Sequence, residues 1–272
     1  MSRFILALLV MLTLVGCNSP RAGWYSVGSK LDMFRLGDEL GEARLVLVGE
    51  YHDRRAHHDL QLRVIRELEA RRVPLVIGLE MFDLESQPAL DRWSRGELGL
   101  EEFTSLYRQN WTIDWAEYDR ILLHARNQRI PLIGLNAPLD LVARVSRFGW
   151  ESLQPADKSR LPAGVTPQIA EDYREFLLNA FVDHRQHADQ FENFCAAQGV
   201  RNNSMVLLIK QALAQHPGAT MVVLAGVGHA MRRGVADALG PELAARTRIV
   251  VPYDERMFAT IDLQDVDFVV TE

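Results

Sequence analysis

Acidic and imidazole side chains follow three apolar segments of the chain. Glu50 and His52 come just after the run that ends at Gly49, Glu80 ends a second run, and His229 follows a third. Carboxylates and imidazoles act as general acids and bases near neutral pH, and they also bind zinc, manganese and iron. The pattern therefore indicates either acid–base chemistry or a divalent metal site built from these four residues.

The apolar runs themselves are short and rich in Val and Leu, which is typical of buried strands in a parallel sheet. We expect strands over about 44–49, 75–80, 130–136, 221–225, 248–251 and 267–270, the last at an edge. Helical patterns between the first three strands predict right-handed crossovers. The sequence thus predicts an α/β fold with a central, mostly parallel sheet flanked by helices. In such sheets ligands bind at the carboxyl ends of strands, which is where the glutamates and histidines lie.

Several helices are expected between and after these strands. Asp53 is a candidate cap for the first, over about 54–72, and an inserted helical subdomain is expected over about 150–215. Within it the longest helix is predicted over about 168–198, followed by another over about 202–215. One face of the longest helix carries Tyr173, Leu177, Ala180, His184, His187, Phe191 and Phe194. Two imidazoles on an apolar stripe indicate either a ligand site or hydrogen-bonded core residues.

The beginning of the chain has the pattern of an export signal. Arg3 precedes an almost unbroken apolar run that is too short for a comfortable membrane span, and the run ends in Leu-Val-Gly-Cys at Cys17. This ending resembles a bacterial lipobox, although an ordinary signal peptide containing a cysteine is the alternative. We predict a lipoprotein signal peptide over 1–16, a lipid anchor at Cys17 and a tether over 17–32. The protein would then be held at the periplasmic face of the bacterial outer membrane.

Composition limits the remaining classes. The chain has 272 residues, is 48% hydrophobic and carries a formal net charge of −6. This length suits one large α/β domain, here expected over 33–272. Nucleic-acid binding would require clustered Lys and Arg, which the sequence lacks, so no nucleic-acid partner is expected. With Cys17 lipidated only Cys195 would remain, so no internal disulfide is predicted.

Several short motifs, taken together, resemble one known family. They are Gly49–Asp53 with His57, His58 and Gln61; Glu80–Phe82; Trp111–Tyr118; Gly134–Asn136; and Ala225–His229 with Gly234 and Val235. The set is similar to the ChaN-like haem-binding lipoproteins, a branch of the superfamily that also holds the Tiki, TraB and erythromycin-esterase proteins. The likeness runs from about residue 43 to 240. It departs from the usual family pattern at Ala236, where a proline is common, and at 202–206.

The resemblance implies that haem is held between two protomers, so that a homodimer forms on haem binding in haem or iron uptake or storage. Haem needs an apolar slot, an axial ligand and polar partners for its propionates. By residue type, the candidate haem contacts are Tyr51, Tyr173, His184, His187 and Lys210. For each aromatic residue, simple packing of its element is the alternative.

Two other interpretations remain open. Glu50, His52, Glu80 and His229 suit a metal-dependent hydrolase, as in hydrolytic members of the same superfamily. The same cluster could instead hold the strand ends together through buried hydrogen bonds. We favour haem binding over catalysis, and Tyr51 is the residue whose substitution best separates the two, since it points away from Glu50 in an extended segment.

Overall fold

The computed structural model describes residues 23–26, 30–180, 188–259 and 261–271. Within them seven strands form one sheet in the order β1-β7-β6-β2-β5-β3-β4, and every neighbouring pair is parallel. The strands are β1 (Gly23–Ser26), β2 (Leu45–Glu50), β3 (Leu75–Asp83), β4 (Leu132–Asn136), β5 (Thr220–Gly226), β6 (Thr247–Pro252) and β7 (Phe268–Thr271).

Helices pack on both faces of this sheet, which explains why the central strands are apolar on both sides. The helices are α1 (Lys30–Gly41), α2 (Arg55–Ala70), α3 (Gln87–Ser94), α4 (Leu100–Asn110), α5 (Trp115–Gln128), α6 (Leu139–Phe148), α7 (Pro155–Lys158), α8 (Glu171–Ala180), α9 (Ala188–Gln215), α10 (Val227–Ala230) and α11 (Pro241–Ala245). The α/β fold expected from the sequence is confirmed.

Two apolar cores lie on opposite sides of the sheet. On one side, residues of α1 to α5 such as Leu62, Ile65 and Trp93 pack against alternate strand residues. On the other, residues of α8 and α9 such as Leu177 and Ile209 do the same. Each fully buried aliphatic side chain stabilises the fold by about 1.5–3 kcal/mol relative to exposure, so this packing fixes where the strand ends lie.

Two predictions differ from the structure at the edge of the sheet that β1 and β7 form. The strand at 268–271 is not an edge among the described residues, because β1 pairs with it on the far side. That pairing uses residues 23–26, which the composition assigned to the tether. A four-residue strand that begins with Gly23 and ends with Ser26 gives no periodic signal, so only its pairing with β7 reveals it.

The helix predictions were correct in kind but wrong at two boundaries. The segment at 202–215 is not a separate helix, since α9 runs without a break from Ala188 to Gln215. Asp53 does not cap α2, because the residue at the cap position is Arg54 and no side chain bonds to the first turn there. Asp53 is therefore a residue of the loop between β2 and α2.

The outer edge of β4 is closed by a side chain. The amide of Gln87 donates to Leu132 O at 2.8 Å and accepts from Gly134 N at 3.0 Å. In doing so it takes the place that a peptide group of a further parallel strand would occupy, which protects an exposed sheet edge from pairing with another chain. Separately, no helix among the described residues is both long and apolar enough to cross a membrane.

Candidate functional site

The carboxyl ends of three adjacent strands bring the four predicted residues together. Glu50 ends β2 and is paired in register with Gly226 at the end of β5, and His229 follows three residues later in α10. Glu80 lies in β3, on the other side of β5. Glu50, Glu80 and His229 are at most 6% exposed, whereas the side chain of His52 is 34% exposed. The site is therefore a buried polar cluster that reaches solvent at His52.

Four side chains surround the carboxylate of Glu50. His52 Nδ1 donates to Oε1 over 2.7 Å, Gln61 Nε2 donates to Oε2 over 2.6 Å, and the hydroxyl of Tyr118 donates to Oε1. His58 Nε2 lies 3.3 Å from Oε2. Burial alone would raise the pKa of Glu50, but the histidine hydrogen bonds and charges hold it well below its usual range. Glu50 is thus an anion at neutral pH.

Tyr118 is held as a neutral donor to this anion. Burial raises the pKa of its phenol far above the ordinary value, and the negative charge of Glu50 adds to the effect. Its ring packs against His58, with centroids 4.1 Å apart. Because α5 carries Tyr118 and α2 carries His58, both helices are fixed to the end of β2 through one carboxylate.

The second carboxylate is paired with an arginine from the opposite face of the sheet. Glu80 Oε1 forms an ion pair with Arg201 of α9, and Oε2 accepts from Gly226 N at 2.5 Å. His229 Nε2 lies 3.6 Å from Oε1. Burial opposes ionisation of Glu80, but the nearby His229 and Arg201 lower its pKa to about 2. Asn136, at the end of β4, accepts from Arg201 Nε at 3.3 Å and so orients the guanidinium.

His229 also takes part in a second set of buried hydrogen bonds. Its Nδ1 lies 2.5 Å from Asn202 Oδ1, and the Asn202 side chain also bonds to Tyr173. Because the amide oxygen can only accept, Nδ1 carries the proton and Nε2 presents a lone pair towards the cluster. Burial lowers the pKa of His229 to about 3, so the ring is neutral at pH 7. It can accept a proton but not donate one at Nε2.

His52 has the opposite character. Its Nε2 is 4.0 Å from Glu80 Oε1 while its Nδ1 bonds to Glu50, so one imidazole lies between two anions. Burial opposes protonation, yet the hydrogen bond to Glu50 and the charge of Glu80 raise the pKa of His52. Its ring meets the edge of Trp111 at 4.9 Å. A Cβ on Gly226 would lie 2.9 Å from His52 Cε1, so only glycine leaves room for the ring there.

The predicted haem contacts are spread over different places. Tyr51 is half-buried beside the cluster, and Tyr173 is 2% exposed within it. Lys210 lies in an exposed position on α9, with Nζ 3.4 Å from Ala238 O, and lines a groove together with Arg44 and Arg246. His184, His187 and the lipidation residue Cys17 lie outside the described residues.

Tyr51 packs against His57 and Arg256, which line a neighbouring cleft of about 460 Å³. The charged and aromatic lining of this cleft also includes Arg54, Arg63, Tyr253, Asp254 and Glu255. The guanidinium of Arg256 lies over the Tyr51 ring, 4.8 Å from its centroid. The imidazole of His57 stacks with the same ring, and the two centroids are 6.0 Å apart. A phenol as axial ligand, aromatic surface and several cations for propionates are the groups that haem requires. The residues around this cleft therefore fit the prosthetic group in chemical type.

The cluster of Glu50, His52, Glu80 and His229 does not have the geometry of a metal site. Among the described ranges, no three His, Cys, Asp or Glu side chains are arranged so that they could hold one. Arg201 occupies the open side of Glu80, and His52 already bonds to Glu50. The cluster of Glu50, His52, Glu80 and His229 is satisfied by its own hydrogen bonds and ion pairs.

Three residues of the site were missed by the sequence reasoning. Tyr118 lies in a segment that was noticed only as a motif, while Arg201 and Asn202 lie on α9 without any pattern of their own. The one available signal for Arg201 was a cation between the two apolar stretches 194–197 and 205–209 of α9, where a buried charge needs an anion nearby. The motif residues His57 and His58 support the site from α2: His57 Nδ1 accepts from Tyr51 N, and His58 contacts Glu50.

Comparisons with known proteins agree on the family. The family model described as "Haem-binding uptake, Tiki superfamily, ChaN" matches residues 36–239. A solved structure of cofacial haem binding to ChaN of Campylobacter jejuni superposes with a TM-score of 0.64 at 18% identity, over 86% of this chain and 89% of that one. An erythromycin esterase, EreC, superposes with a TM-score of 0.52 at 13% identity, over 82% and 73%.

A plant protein is also similar to this chain in sequence. Protein RETICULATA-RELATED 5, chloroplastic, of Arabidopsis thaliana is 24% identical over 246 residues, which cover 84% of this chain. The aligned segment spans only 33% of that plant protein's length. The two structural matches share the fold at low identity, whereas the family model covers most of the chain by sequence. The chain therefore belongs to the ChaN family of haem-binding uptake proteins in the Tiki superfamily.

Proposed function

We propose that this protein binds haem in haem uptake or storage and is tethered by lipid at Cys17 to the periplasmic face of the outer membrane. The observation that carries the proposal is the family match over residues 36–239. The fold shared with a ChaN structure that binds haem cofacially supports it. Two haems held face to face would join two copies of the chain, so we propose a homodimer that forms on haem binding.

The cleft beside Tyr51 is the favoured haem surface. Haem supplies an iron that takes an axial ligand. The Tyr51 phenol would serve as that ligand, with the guanidinium of Arg256 packed over its ring. Arg54 and Arg63 line the same cleft and would meet the propionates. Tyr173 fits less well, because it is buried, bonded to Asn202, and its pKa is raised to about 12 by burial. His184 and His187 remain candidates by residue type alone.

Titration with hemin tests this proposal. The mature chain should give a saturable shift of the Soret band, and Tyr51→Phe should change the band position and weaken binding. Tyr253→Phe, at the same cleft, is the matched control for loss of a hydroxyl. Size-exclusion chromatography with light scattering should show dimer only with hemin. If no saturable Soret shift occurs with the wild-type chain, haem binding is refuted.

The anchor is tested separately. Expression of the full chain with labelled palmitate should label the wild type but not Cys17→Ser. An unlabelled wild-type chain in a cell that processes other lipoproteins would remove the anchor from the proposal, and haem binding would stand or fall on the hemin titration alone.

A second candidate function is hydrolysis at the strand ends, favoured by the contrast between His52 and His229. One imidazole has a raised pKa and solvent access, and the other is neutral with a lone pair directed into the cluster. A pair of groups with opposed pKa values can supply an acid and a base. A screen with ester and peptide substrates would detect it. The activity should be lost in both His52→Gln and His229→Gln, whereas residual activity equal to wild type in either variant would exclude this function.

A further inference from the structure

A groove at the opposite end of the sheet gathers positive charge. It has a volume of about 620 Å³ and includes Arg44, Lys210 and Arg246, beside the apolar side chains Leu213, Leu239 and Leu243. Lys210 and Arg246 are exposed. Glu242 is the one acidic residue among the groove's lining residues. The surface therefore combines three cations and one anion with an apolar floor.

Among the described residues, no carboxylate forms an ion pair with these three cations. Arg44 donates to the main-chain oxygens of Leu213 and His216 at 2.8 and 3.0 Å. Within the described ranges, Lys210 Nζ has one hydrogen-bond partner, the main-chain oxygen of Ala238. Burial and the neighbouring charge of Arg246 lower the pKa of Arg44, so the two guanidiniums repel each other. An anion in this groove would relieve a repulsion that the described part of the chain leaves uncompensated.

Gly23, at the start of β1, lies within reach of this groove, although it is level with Val48 near the carboxyl end of β2 and not with Arg44. Gly23 is in register with Phe268, which pairs with Val250, which in turn pairs with Val48. Three strand spacings are about 14 Å, and the four residues from Val48 back to Arg44 add about 13 Å along the strand. Cys17 precedes Gly23 by six residues, which span at most about 20 Å. A lipid attached at Cys17 would thus hold a bilayer within reach of the groove.

We propose that this groove, formed by Arg44, Lys210 and Arg246, binds the phosphate head group of an anionic phospholipid in the membrane that carries the anchor. The orientation rests on the proposed lipid anchor at Cys17. With the groove on the bilayer, the amino-terminal ends of the parallel strands would face the membrane, and the cluster of Glu50, Glu80 and His229 at their carboxyl ends would face away from it. The haem surface beside Tyr51 would then be open to a partner approaching from the periplasm.

Vesicle binding of the mature chain carrying Cys17→Ser tests the groove without the anchor. Sedimentation with phosphatidylcholine vesicles, with and without phosphatidylglycerol, should show binding only to the anionic vesicles. Each cation near an anionic surface is worth about 1 kcal/mol, so the charge reversal Arg246→Glu should weaken binding at least about tenfold. Glu242→Lys should strengthen it. Arg66→Glu, an exposed reversal on α2, is the matched control and should bind like wild type.

Other outcomes distinguish a lipid head group from free phosphate, and the groove proposal from the proposed lipid anchor at Cys17. If inorganic phosphate raises the melting temperature through Arg246 but vesicles do not bind, the groove takes a free anion and the lipid proposal is wrong. Equal loss of vesicle binding in Arg246→Glu and Arg66→Glu would mean only diffuse attraction, which also overturns it. A failure of palmitate labelling would remove the anchor but leave the vesicle result unchanged, so the two failures are distinguishable.

Discussion

The imidazole of His52 donates to Glu50 over 2.7 Å while its other nitrogen lies 4.0 Å from a second buried carboxylate, that of Glu80. One partly exposed ring therefore joins two anions that lie near the carboxyl ends of β2 and β3, on either side of β5. Charge balance at this edge depends on the protonation of His52, because His229 stays neutral and Arg201 supplies the only other nearby positive charge within the described cluster.

Substitution of Glu50 should lower the pKa of His52. In the wild type burial opposes protonation, but the Glu50 hydrogen bond and the Glu80 charge raise this pKa above the ordinary value of about 6.5. In Glu50→Gln burial would dominate and the pKa should fall below that of the wild type. Titration of the His52 ring protons by NMR measures it, with the exposed Asp53→Asn as control. An unchanged His52 pKa in Glu50→Gln would contradict the arrangement.

The same shift gives a pH dependence with a definite sign. Since the folded pKa of His52 is raised, its contribution to stability is complete below the unfolded pKa, about 6.5, and is lost as pH rises through the folded value. His52→Gln should therefore lose stability relative to wild type at acidic pH and approach it at alkaline pH, as measured by urea unfolding.

The fold could be predicted from the sequence because burial leaves a strong local pattern. The runs that became β2, β3 and β5 are apolar on both faces, as strands between two helical layers must be. β1 could not be found in this way, since its four residues acquire their structure from pairing with β7. The continuity of α9 was also hidden, because Gly199 and two asparagines suggest a break that packing overrides.

The site was predictable only in part for a related reason. Glu50 ends β2, Glu80 lies near the end of β3 and His229 follows β5, so a parallel sheet brings them to one edge. Tyr118 and Arg201 reach the same point from helices on opposite faces, 68 and 121 residues away in sequence from the carboxylates they contact. No spacing rule connects such positions; only the three-dimensional packing does.

Removal of the Glu80 charge should be costly. Arg201 has a side chain only 16% exposed, and Glu80→Gln would leave its charge without the ion-pair partner. Breaking a buried pair in this way costs about 3–5 kcal/mol. Urea unfolding should show this loss, while Glu102→Gln, from a pair exposed on both sides, should change the midpoint little. Equal midpoints for the two variants would show that the Glu80 pair contributes no more than a surface one.

His229 should make the protein sensitive to acid. The unfolded chain binds a proton at this residue below about pH 6.5, whereas burial lowers the folded pKa to about 3. The fold therefore loses about 1.4 kcal/mol for each pH unit below about 6.5 from this residue, and the loss is absent above it. Comparison of urea unfolding at about pH 7 and pH 5 should show a smaller acid penalty in His229→Asn than in wild type. Identical penalties would mean that His229 is protonated in the folded protein.

Gln87 should keep the β4 edge from pairing with other chains. Gln87→Leu preserves the size of the side chain but removes the donor to Leu132 O and the acceptor for Gly134 N. Leaving those two main-chain groups unsatisfied costs about 1–3 kcal/mol, and a second β4 edge could satisfy them instead. Urea unfolding should report the lower stability, and light scattering should report self-association. Gln109→Leu adds the same apolar side chain at an exposed position of α4 and should remain monomeric. A monomeric Gln87→Leu with the wild-type midpoint would show that β4 needs no such protection.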